Sequence, residues 1–136
     1  MKRTICPFVI ATVLSTIATT ASAELVIVVN PQNQATRMTS AQASQFFLGG
    51  SVLFTPVEQA PESSIRAEFY KKVLEKEAAQ VQAIWSRIVF TGKGKPPKEY
   101  KSSTDVKKAI SENVNAIGYI EKSAVDDSVK VIATIP

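Results

Sequence analysis

The chain has 136 residues, 16 Lys and Arg against 12 Asp and Glu, no histidine, and one cysteine, Cys6. The lack of histidine excludes the Ser-His-Asp arrangement, the usual general base and the commonest zinc ligand together. A formal net charge of +4 is too small to mark a nucleic-acid binder.

Residues 1–23 read as a secretory signal peptide. Lys2 and Arg3 give a positive start, Phe8 to Ala18 is mostly apolar, and Ala21-Ser22-Ala23 is a small-residue cleavage site. Cleavage after Ala23 predicts a periplasmic or secreted protein. The apolar stretch is too short and too rich in Thr and Ser to span a membrane, and Cys6 lies ahead of it instead of at a lipid-modification point. The mature chain, residues 24–136, carries no cysteine, so disulfides and thiol chemistry play no part in it. That length suits one domain with a single modest core.

Leu25 to Val29 is a continuous β-branched run, the pattern of a strand buried on both faces, and Asn30-Pro31 ends it. Thr39 with Gln42 makes a capping-box pattern that starts a helix through Leu48, facing inward with Ala43, Phe46 and Phe47. Gly49-Gly50 stops it. Val52 to Val57 is the second strand candidate.

Ser63 and Ser64 stand where a helix N-cap belongs, and Ile65, Phe69, Val73 and Leu74 give an apolar face to a helix reaching about Lys76. Free backbone N–H groups, two hydroxyls and Arg66 in the first turn make a ready anion site; the same residues also suit an ordinary capped surface helix. Ala78 to Phe90 predicts another helix, with Val81, Ile84, Trp85, Ile88 and Val89 in one stripe and Trp85 in the core. Thr91 to Lys101 reads as an exposed loop without regular structure, basic through Lys93, Lys95, Lys98 and Lys101. Ser103 or Thr104 caps a helix through Asn113. Asn115 to Ile120 is a strand in which Gly118 marks a close approach. Ser123 to Asp127 makes a helical turn, and Val129 to Ile135 closes the chain as a strand. Alternating strands and helices predict an α/β domain with a mixed sheet flanked by helices.

The order of these segments resembles the phosphate-binding proteins of ABC importers. The stretches that carry it are Val28-Val29-Asn30-Pro31, the helix closing on Phe47-Leu48-Gly49, the turn and helix Glu62-Ser63-Ser64-Ile65-Arg66, and Asn115-Ala116-Ile117-Gly118-Tyr119. In that family a Gly-Ser-Gly-Thr-Arg-like turn opens the helix; Ser63 and Arg66 match it, Ser64 and Ile65 do not. The resemblance implies a single lobe of a type II periplasmic-binding-protein-like fold. It also implies an exported, solute-binding-like protein that takes phosphate or another oxyanion at Ser63, Ser64 and Arg66. No cofactor or metal is implied. A homodimer would place two such turns face to face. The alternative is a ligand-free interaction module of a cell-envelope assembly or sensor. With no His, no Cys and no paired carboxylates on one face, an enzyme is not expected.

Overall fold

The computed structural model describes residues 24–136; the predicted signal peptide lies outside them. Five strands form one sheet: β1 (Leu25–Val29), β2 (Thr55–Gln59), β3 (Lys98–Tyr100), β4 (Ala116–Glu121) and β5 (Lys130–Ile135), in the order β3-β2-β4-β1-β5. β1 is antiparallel to both its neighbours, whereas β2 is parallel to β3 and β4. The sheet is mixed, as the sequence predicts.

Four α-helices cover it: α1 (Ser40–Phe47), α2 (Ser64–Phe69), α3 (Ala78–Phe90) and α4 (Ser103–Glu112). α1 carries the complete capping box of Thr39 and Gln42. Its end is a Schellman turn, with Gly49 at φ +76° and the Gly50 amide donating to the Gln45 carbonyl. α2 continues without a break into a π-helical turn, Tyr70–Leu74, that ends on Glu75 in the left-handed region. A 3-10 turn, Lys122–Ala124, comes directly after β4.

The core has two layers because β1 and β4 are buried on both faces. Leu25, Ile27, Val29, Ile117 and Tyr119 face α1, α2 and its π turn, where Phe47, Phe69 and Leu74 meet them. Val26, Val28, Val57 and Ile120 face the other way, against Val106 and Ile110 of α4. Gly118 lies under α4: a Cβ there would sit 2.9 Å from both Ile110 Cδ1 and Val57 Cγ2. Trp85 is partly buried against the first layer, and its Nε1 donates to the Phe47 carbonyl at 2.9 Å.

Two expectations need correcting. β2 runs over Thr55–Gln59 instead of 52–57, leaving Val52 and Leu53 at 91% and 76% exposure in the preceding loop. The strand instead takes in Glu58 and Gln59, both buried, because partners inside the fold satisfy their polar atoms. The stretch 91–101 is also not wholly irregular. Lys98–Tyr100 joins the sheet as β3, a three-residue edge strand of the short, charged kind that resists further pairing.

Candidate functional site

β2 and β3 are parallel neighbours, yet the helices that come after them cover opposite faces. α2 leaves β2 for the face of Phe69 and Tyr119; α4 leaves β3 for the face of Val57 and Ile120. Such a divergence opens a crevice beyond the carboxyl ends of the strands, the place where open α/β sheets bind ligands. Here it is an open cleft of about 800 Å³. From the β2 side it is lined by Gln59, Glu62, Ser63 and Ser64, and from the β3 side by Lys101, Ser102, Ser103 and Thr104. Glu121, at the end of β4, closes one edge.

Two helix starts therefore meet at one crevice. Ser63 has the extended backbone of an N-cap, but its hydroxyl makes no capping bond to α2 and stays free for another partner. Ser102 does cap α4, its Oγ accepting from the Asp105 amide at 3.2 Å. The floor is held by Gln59, whose Nε2 donates to Ser103 Oγ at 3.1 Å. Helix N-termini, hydroxyls and Lys101 favour an anion. Glu62 and Glu121 work against it.

Of the residues that the sequence singles out, Ser63 and Ser64 lie together in this cleft and Arg66 does not. One helical turn along, Arg66 points into a separate cavity of about 280 Å³, together with Glu58, Tyr70 and Glu99. Its Nη1 donates to Glu99 Oε1 at 2.7 Å and to the Gln59 carbonyl at 2.8 Å, its Nε lies 3.5 Å from Glu58 Oε2, and the guanidinium sits 5.1 Å from the Tyr70 ring centroid. Arg66 thus braces β2, α2 and β3 against one another. Its charge is already matched by the Glu99 carboxylate.

Glu58 is a buried, perturbed carboxyl that sequence reasoning passed over. Its Oε2 accepts from the hydroxyls of Tyr119 at 2.9 Å and Tyr70 at 3.0 Å. Burial raises its carboxyl to about 7, against the pull of Arg66 and the two tyrosines. Burial, with Glu58 beside them, also pushes both tyrosine hydroxyls well above their usual range. Nothing local in the sequence marks Glu58. Ser102-Ser103-Thr104 behind a lysine run did carry a signal, since it repeats the cap chemistry of Ser63-Ser64.

No protein-family model matches the chain, and no curated protein does. Solved structures do. An ABC-type phosphate transport receptor from Vibrio cholerae superposes with a TM-score of 0.64 at 22% identity, over 81% of this chain and 46% of the receptor. The fold of the described residues is that of about half of this receptor. A Clostridium perfringens protein solved with bound phosphate gives 0.66 at 21% identity, over 81% of this chain and 45% of that one. PstS from Borrelia burgdorferi gives 0.61 at 14% identity, over 82% and 47%. The binding-protein fold is thus present here over about half the length of the structures it matches.

Proposed function

We propose that the protein is an exported, non-catalytic binding protein that holds phosphate or a similar oxyanion in the cleft between the starts of α2 and α4. The observation that carries this reading is the meeting of Ser63-Ser64 and Ser102-Ser103-Thr104 at one crevice beyond β2 and β3. The likeness to a phosphate transport receptor, and to a protein solved with bound phosphate, supports the choice of anion. Ser63 and Ser64 contact the ligand, and Lys101 supplies the positive charge. Arg66 acts at one remove by fixing the geometry of the turn. Binding is weak, because an open cleft leaves one side of the ion in water and two carboxylates stand at its edge. Export rests on the Ala21-Ser22-Ala23 cleavage pattern.

Calorimetric titration of residues 24–136 with inorganic phosphate tests this. Saturable heat that a Ser63→Ala/Ser64→Ala double variant abolishes, with its circular dichroism unchanged, supports the cleft. A folded protein that gives no heat at millimolar phosphate refutes it.

A further inference from the structure

The end of the molecule opposite the cleft has a different character. Five large apolar residues are exposed among those described, and four belong to two segments there: Val52 and Leu53 ahead of β2, and Val89 and Phe90 at the end of α3. Phe90 is 92% exposed, as fully out in solvent as Val52. The two segments touch at their roots. Gly49 sits so close to α3 that a Cβ would come 2.4 Å from Ile88 Cδ1, and the Trp85 indole donates to the Phe47 carbonyl.

Charge is sorted here as well. Leu25 to Val57 contains no Asp or Glu, and neither does Ala78 to Lys98. The second stretch brings Arg87, Lys93 and Lys95, all exposed. The loop that bears the lysines is folded back on the helix end, with the Lys93 amide donating to the Ile88 carbonyl and Gly94 against Ile88. Protruding apolar tips therefore share one end with cations and no nearby carboxylate in either segment. The tips of Val89 and Phe90 rim an open hollow of about 500 Å³ with Gln82, Trp85 and Pro96. They suit a surface that yields to them, apolar below a negatively charged layer.

We propose that this end, formed by Val52, Leu53, Val89 and Phe90 with Arg87, Lys93 and Lys95, docks the protein on an anionic lipid membrane. The apolar tips enter the interface while the cations meet the headgroups. The oxyanion cleft, at the carboxyl end of β2, then faces away from the lipid.

Co-sedimentation of residues 24–136, which hold the whole described fold, with phosphatidylglycerol/phosphatidylcholine vesicles tests the proposal. Binding is expected to the mixed vesicles and not to phosphatidylcholine alone. Leu53→Ser/Phe90→Ser should weaken it about tenfold or more, since two large apolar side chains no longer leave water. Lys93→Glu/Lys95→Glu should weaken it by a similar factor, and added salt should weaken it in the unchanged protein. All four positions are exposed, so the variants should keep their circular dichroism. Inorganic phosphate at constant ionic strength should leave binding unchanged. Displacement by phosphate would place the headgroup in the cleft and overturn the proposal. So would absence of binding to the mixed vesicles, binding that survives Leu53→Ser/Phe90→Ser, or a dimer that these substitutions dissolve.

Discussion

Glu62 and Arg66 show how two charges beside the same turn take different parts. Arg66 is held by Glu58, Glu99 and a main-chain carbonyl, so its positive field at the cleft is largely cancelled. Glu62 is exposed on the cleft wall beside Ser63. Its carboxylate repels an entering anion through water, a modest and salt-dependent effect. Glu62→Gln should therefore tighten phosphate binding a few-fold at low salt and less at high salt, read by the same titration. An affinity unmoved at low salt would place the ion elsewhere. Arg66→Ala should act on a different quantity. It removes the hydrogen bonds that tie α2 to the Gln59 carbonyl of β2 and to Glu99 of β3, and should lower stability by about 1–3 kcal/mol, measured by urea unfolding.

At the scale of elements, β2 is the instructive case. Val52, Leu53 and Phe54 look like a strand by apolarity, and Glu58-Gln59 look like a turn by polarity. The fold reverses both. β2 is shared between two partners, Thr55 and Pro56 pairing with β4 and Val57 to Gln59 with β3, so its position is set by strands distant in sequence. Gly118 on β4 was legible by contrast, because a glycine in an apolar run signals a close approach wherever the neighbour comes from. Gly118→Ala puts a methyl against Ile110, Val57 and Val106 at once, two of them at 2.9 Å. It should cost about 1–3 kcal/mol by overpacking, seen as a lower urea midpoint with an unchanged slope. An unchanged midpoint would mean that α4 moves away freely.

For the whole molecule, Glu58 ties stability to pH. Its folded carboxyl is raised from an ordinary value of 4.5 to about 7, so the native state holds a proton that the unfolded chain has already released. The contribution is complete below the unfolded value and is lost as pH rises through the folded one. Stability should therefore fall by on the order of 3 kcal/mol between about pH 4.5 and pH 7. Melting temperatures across that range check it, and Glu58→Gln should flatten the slope. A slope that survives the substitution would assign it to another group.

Much of the architecture was open to reading because its signals are local. The buried run Leu25–Val29, the Thr39–Gln42 box, the Gly49 stop and the helical stripes each lie within a few residues, where backbone sterics and capping decide the outcome. The same locality placed Ser63 and Ser64 at a helix start. Assembly of the site was another matter. That Ser102 to Thr104 face Ser63 across one cleft depends on β2 and β3 pairing in parallel while their helices part to opposite faces. That Arg66 turns to Glu58 and Glu99 instead depends on charges 8 and 33 residues away being buried or brought near. The sequence by itself determined most of the elements, the inward faces of α1 and α2, and the chemistry available at each helix start. Tertiary structure alone decided which of those groups share a cavity, because long-range strand pairing and burial set the distances through which charges and hydroxyls act.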